Sequence, residues 1–253
     1  RNAVAVASAK GGVGKSTVSV NLALALVRLG LRVGLLDGDI YGPSIPLMMG
    51  VHEEPRVGPG DRLLPVVREG LSLMSIGFLT DREAPVVWRG PLLAQALQQF
   101  LRQVEWGDLD LLLVDLPPGT GDVPLTLAQV VALSGAVMVT TPQDVALQDV
   151  ERGIGLFDKV DVEILGVVEN MSYYLCPHCS ARHEIFGHGG GREAAARLNL
   201  PFLGELPLDP AVREGGDQGR PVVVAAPDSE MAGRFGQLAD GLLAALQRVA
   251  GAT

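Results

Sequence analysis

The chain has 253 residues, 47% of them hydrophobic, and a formal net charge of -9. That is enough for one substantial core and the wrong sign for a nucleic-acid partner, which wants a basic stripe. No apolar run approaches the ~20 residues of a membrane span, no basic segment leads into an apolar one as in a secretory signal, and two cysteines make no disulfide scaffold.

A reducing cytoplasm is therefore the expected compartment, with neither nucleic acid nor membrane as partner. The chain begins at Arg1 rather than Met, from which a removed leading segment is expected. In chain order, "AVAVASA" (3–9), "RVGLLD" (32–37), "LDLLLVD" (109–115), "GAVMVTT" (135–141), "EILGVVE" (163–169) and "PFLGEL" (201–206) are apolar on both faces. Strands buried in a parallel sheet read this way. Helical spacing is predicted at 16–30, 91–104, 124–133, 146–160, 191–199 and about 229–249. An extra hairpin or edge strand is expected within 63–77. Alternation of this kind specifies a doubly wound α/β sheet, mostly parallel, with right-handed crossovers. Helices cover both faces, and a single P-loop ATPase domain is expected over 1–253.

"ASAKGGVGKST" (7–17) leaves the first strand and opens the first helix. Gly14-Lys15-Ser16 ends a phosphate-binding loop, although Ala9 stands at the usual leading glycine. Gly11, Gly12, Val13 and Gly14 supply backbone amides that converge on phosphate oxygens. The helix start at Lys15 adds orphan N–H groups and a favourable dipole. Lys15 then neutralises β/γ-phosphate charge, Ser16 coordinates Mg²⁺ and Thr17 contacts the α-phosphate. Lys10 is too early to cap the helix, and packed on its own loop it would repel Lys15. It is expected to reach a nucleotide bound by a second copy. The stretch Lys10–Thr17 resembles the deviant Walker A P-loop ATPases. That resemblance implies a face-to-face dimer in which Lys10 contacts the partner's ATP, as an arginine finger does.

Asp37 and Asp39 stand at the C-terminal end of the second strand, where doubly wound sheets bind ligands. Asp37 is expected to support the Mg²⁺ shell or the loop. By resemblance Asp39 lies in switch I and orients or deprotonates the attacking water. Asp115, ending an apolar strand, is the Walker B acid for Mg²⁺, and Pro117–Gly119 form switch II. Asn170 matches the family's base-contacting asparagine, whose amide both donates and accepts, and Pro207 is expected to help complete the adenine pocket.

Cys176 and Cys179 form C-x-x-C in a polar loop. Two thiolates at this spacing grip one metal centre from one side, while zinc and iron–sulfur sites usually take four ligands. A two-fold axis would supply the other pair. Three other uses stay open: a redox dithiol, a structural zinc between protomers, and a zinc held within one chain together with His183 and His188.

KGGVGKST, DGDIYGPS, "VVWRGP" (86–91), DLPPGTGD, NMSYYLCPHC and "FGHGGG" occur in that order. Together they resemble the Mrp (ApbC) family of iron–sulfur cluster carrier ATPases, from residue 3 to about 225. The resemblance implies ATP and Mg²⁺, slow hydrolysis, a [4Fe–4S] cluster between two protomers of a homodimer, and delivery to apo iron–sulfur proteins, with scaffold proteins as further transient partners. It also implies an extra N-terminal domain in many members, which is expected to be absent here. A Min/Par-type positioning ATPase shares the two-lysine loop, but its Min form wants a basic amphipathic C-terminal helix, and neither form uses CPHC.

Overall fold

The computed structural model describes residues 2–40, 42–78, 90–143 and 145–252. The stretch Val86–Arg89 of the VVWRGP motif and Tyr41 of DGDIYGPS lie outside the described residues.

Eight strands form one sheet: β1 (Asn2–Ala7), β2 (Val33–Asp37), β3 (Val66–Arg68), β4 (Leu71–Ser75), β5 (Leu111–Asp115), β6 (Gly135–Thr140), β7 (Ile164–Glu169) and β8 (Phe202–Glu205). Their order across the sheet is β8-β7-β6-β1-β5-β2-β4-β3. All neighbours run parallel except β3 and β4. The expected extra hairpin is thus half absorbed: β4 extends the parallel sheet beside β2, and β3 turns back along the edge.

The alternation within each strand divides the interior into two layers. Val4, Val6, Leu35 and Leu113 face a core with Val18, Leu22 and Leu26 of α1 (Lys15–Arg28). The last helix completes that layer through Phe235, Leu238 and Leu242. Ala5, Leu36, Val114 and Met138 face the other core. That layer is closed by Phe100 of α2 (Gly90–Gln103), Leu127 of α3 (Asp122–Val130), Val150 and Phe157 of α4 (Ala146–Phe157), and Ala194 and Ala195 of α5 (Gly190–Arg197). Further on come α6 (Pro210–Asp217) and α7 (Glu230–Ala252). The single-turn helices Ile45–Met48 and Val222–Ala225, and α6, are too short to show a period in the sequence.

Parallel strands end at one edge, so their terminal residues meet there. Val6 is in register with Asp115, Asp115 with Asp37, and Asp37 with Ser75. On the other side of β1, Thr140 is in register with Glu169. Among the described residues no helix is long and apolar enough to cross a membrane.

Candidate functional site

The loop between β1 and α1 turns back on itself through Gly12 and Gly14, both at φ +80°. This is left-handed backbone that other residues adopt at a cost. Gly14 stands before the first residue of α1 and offers no side-chain cap, so the helix N-terminus keeps free amides for an anion. A Cβ on Gly14 would collide with the side-chain amide of Asn170. Gly11–Thr17 line a cleft of ≈ 200 Å³ together with Asp39, Ser44 and Pro118.

Behind this cleft the charged groups form one cluster. Lys15 Nζ lies 2.6 Å from Asp115 Oδ2 and 3.9 Å from Asp39 Oδ2. The Ser16 hydroxyl donates to the same Asp115 oxygen at 2.6 Å, and the Ser19 hydroxyl donates to Asp115 Oδ1 at 2.5 Å. Asp115 is fully buried, yet both of its oxygens are engaged, which is what a charge in a low-dielectric interior requires. Ser16 Oγ and Asp115 Oδ2 form the hard oxygen set that suits Mg²⁺, and the residues present fit that ion. Ser19 lies one helical turn beyond Lys15; only that spacing on α1 marks it in the sequence.

Asp37 is equally buried and lies beside Asp115 in the sheet. Its Oδ2 accepts from Ser75 Oγ at 2.8 Å and its Oδ1 from the Asp39 N–H at 3.2 Å. Burial, reinforced by the Asp115 charge, pushes its carboxyl up to about 7. Asp37 therefore ties β4 to the turn that follows β2, and Asp39, at the rim, lines the cleft.

Lys10 points away from Lys15. Its ammonium meets Gln143 Oε1 at 3.0 Å and Asp149 Oδ2 of α4 at 3.0 Å. An acidic partner within the same chain removes the repulsion that the bare sequence suggests for a second loop lysine. Gln143 and Asp149 carried no signal of their own in the sequence. Lys10, Gln143, Met171 and Phe186 border a second cleft of ≈ 320 Å³, on which Gly11–Val13 also open.

Asn170 follows β7 and braces the loop: its Nδ2 donates to the Val13 carbonyl at 2.8 Å, and its own N–H donates to the Thr140 carbonyl at 2.8 Å. Met171 is left-handed at φ +56°. Pro207 sits between two main-chain bonds, Ser172 N–H to Leu206 O at 2.9 Å and Leu208 N–H to Tyr173 O at 2.7 Å. It lines neither cleft.

Six residues after Asn170, the two thiols sit at the tip of a small hairpin. Tyr174–Leu175 pairs antiparallel with Arg182–His183. Ser180 N–H closes on the Cys176 carbonyl at 2.8 Å, and Cys176 N–H on the Ala181 carbonyl at 2.9 Å. Cys176 is half-buried and Cys179 exposed, and both are free thiols. Backbone N–H groups of His178 and Cys179, and the Cys179 thiol, hold the Cys176 thiol below its ordinary value. Amides aimed at a sulfur favour the thiolate, the form that ligates metals. The fold thus brings the loop residues, Lys15, Asp39 and Asp115 together. Lys10 stands on the outer side of the loop, and the thiol pair on a separate hairpin.

A family model described as "ParA: NUBPL iron-transfer P-loop NTPase" matches residues 1–243. The chain is 50% identical over 250 residues to an Arabidopsis thaliana protein named "Iron-sulfur protein required for NADH dehydrogenase, mitochondrial", covering 98% of this chain and 80% of that one. It is 49% identical over 247 residues to an iron–sulfur cluster carrier protein of Escherichia coli (strain K12), covering 97% and 67%. Among solved structures it is similar to a nucleotide-binding protein of Archaeoglobus fulgidus in complex with ADP, with a TM-score of 0.81 and 40% identity over 92% of this chain and 91% of that one. The cell division ATPase MinD of Pyrococcus furiosus shares the fold, with a TM-score of 0.72 at 24% identity over 96% and 98%.

Proposed function

Because the chain belongs to the family of NUBPL iron-transfer P-loop NTPases, we propose that it is a slow cytoplasmic ATPase that carries a [4Fe–4S] cluster between two protomers and passes it to apo-proteins. The observation that carries this reading is the thiol pair itself. Cys176 and Cys179 are free, side by side and outward on a hairpin tip, with amides that favour the thiolate. They offer two ligands where a cluster takes four, and a two-fold axis doubles them. Relatives named as iron–sulfur cluster carriers support the choice of cargo. Free thiols of this kind persist in a reducing compartment.

The nucleotide half of the reading follows from the cleft. The amides of Gly11–Thr17 and the start of α1 hold the phosphates, with Thr17 at the α-phosphate. Lys15 exchanges its contact with Asp115 for the β/γ-phosphates. Ser16 and Asp115 would hold Mg²⁺, which when bound neutralises charge between those phosphates, and Asp37 supports their shell through the turn it fixes. Asp39, at the rim of the cleft, orients the attacking water. Asn170, whose amide nitrogen is bound to the loop, presents its carbonyl oxygen toward the adenine amine, and Pro207 flanks the base. Lys10 leaves Asp149 and Gln143 to meet the partner's nucleotide. Charge stabilisation of this kind is the main resource of phosphoryl transfer.

Anaerobic reconstitution with ferrous iron and sulfide tests the reading. The wild-type chain should take up about four iron and four sulfide per dimer, and Cys176→Ser/Cys179→Ser should take up none while still binding ATP. A full cluster in the double variant overturns the ligand assignment. About half a zinc per chain in the protein as purified, with no iron uptake, replaces the carrier by a structural interface zinc.

A further inference from the structure

One side chain of the thiol hairpin, Arg182, makes several contacts at once. Arg182 pairs with Leu175 across the hairpin, next to the Cys176–Ala181 main-chain bond. Its guanidinium carbon lies 3.8 Å from the centre of the Tyr173 ring. Nη2 is 2.9 Å from His188 Nδ1, so the imidazole accepts and carries its proton on Nε2. Nη1 is 3.7 Å from Glu205 at the end of β8, and Nε is 3.9 Å from Glu184. One planar, permanently charged fork thus touches the hairpin root, the sheet edge and the loop that follows.

Glu169, His188 and Glu205 also bring ligand atoms within 4.8 Å of one another, a group that invites a cation. The cation is already supplied by the protein. Arg182 and Arg192 both face Glu205, while buried Glu169 is spent on the Ser172 hydroxyl at 2.6 Å and the Gly191 N–H at 2.6 Å. Ser172 also reaches Glu205 at 3.4 Å. A continuous polar path therefore runs from the end of β7 through Ser172 and Glu205 to Arg182 and the hairpin.

We propose that Arg182 is the positioning residue of the thiolate pair: clamped by Tyr173, His188 and Glu205, it sets the direction in which Cys176 and Cys179 are presented. The proposal rests on the carrier reading for the cluster, but its geometry applies to any metal the two thiolates hold. Arginine is needed rather than any cation, because a planar guanidinium alone stacks on the Tyr173 ring while one edge donates to His188 and another faces Glu205.

The test compares wild type, Arg182→Gln, Arg182→Lys and Tyr173→Ala as full chains, after cluster loading and, separately, by titration with Co²⁺ alone. Arg182→Gln should lose iron to a chelator about tenfold faster and bind Co²⁺ about tenfold more weakly, with altered thiolate–Co²⁺ absorption. Its ATP hydrolysis should stay within about twofold of wild type. Tyr173→Ala should reproduce part of the effect, and Arg182→Lys should restore little of it. Iron release and Co²⁺ spectra unchanged in Arg182→Gln overturn the proposal, as does full rescue by lysine. Should Arg182→Gln fail to fold, Tyr173→Ala decides by the same two readouts. If wild type takes up no cluster but binds Co²⁺ through the cysteines, the carrier reading falls, and the Co²⁺ comparison still judges Arg182.

Discussion

Replacing Asp37 with Asn should make the nucleotide-free protein more stable, and increasingly so as pH rises. Asp37 is fully buried beside Asp115, and its carboxyl is raised from an ordinary 3.8 to about 7, chiefly by burial and then by the Asp115 charge. Between these two values the native state holds a proton that the unfolded chain has released. Stability then falls with increasing pH across that window and levels off above about 7. A window of about three pH units, at about 1.4 kcal/mol per unit, corresponds to about 4 kcal/mol as an upper bound. Asparagine keeps the shape of the neutral acid: its oxygen accepts the Asp39 N–H, and its amide faces Ser75 Oγ. Urea unfolding of both proteins in EDTA at pH 5, 6, 7 and 8 isolates the difference, because the two chains differ in this one titratable group. The gap should widen in favour of Asp37→Asn by about 1.4 kcal/mol per unit from pH 5 to 7, then stay constant. A gap that does not change with pH, or one that narrows, refutes a raised carboxyl at this site.

Gly14→Ala should weaken ATP binding more than tenfold and cost about 1–2 kcal/mol of stability, since its Cβ meets Asn170; calorimetry and unfolding measure both, and unaltered binding refutes the contact. Lys10→Ala should slow ATP turnover, by at most roughly 10³-fold, with ATP affinity within a few-fold. An unchanged turnover number removes the trans role, and Asp149→Asn, which removes the charged one of the two partners that Lys10 has in its own chain, should not slow turnover. Ser19→Ala leaves Asp115 Oδ1 without its hydroxyl donor and should cost about 1–3 kcal/mol, read by denaturant unfolding; a cost near zero means that water takes the place of the hydroxyl.

Much of the site is legible because its chemistry is local. Gly12, Gly14, Lys15 and Ser16 act through a turn and the first residues of one helix, and Cys176 and Cys179 through a four-residue turn, so spacing alone reveals them. The partners of these residues are not local. Asp149 lies 139 positions from Lys10, Ser75 lies 38 from Asp37, and Glu205 lies 23 from Arg182; serines, arginines and glutamates scattered at such distances look like any solvated surface. The short helices Ile45–Met48 and Val222–Ala225 escaped for a related reason, since one turn is less than a period.

What the amino-acid sequence determined unaided was the doubly wound sheet, the phosphate loop and the paired thiols, because apolar runs, glycine backbone freedom and ligand spacing are properties of neighbouring residues. The tertiary structure decided where the second lysine rests, which aspartate is buried beneath the sheet edge and which faces the cleft, and how the thiol hairpin is held. Those outcomes depend on burial and on charges that the parallel strand ends bring to one edge, and electrostatic energy follows distance in space rather than along the chain.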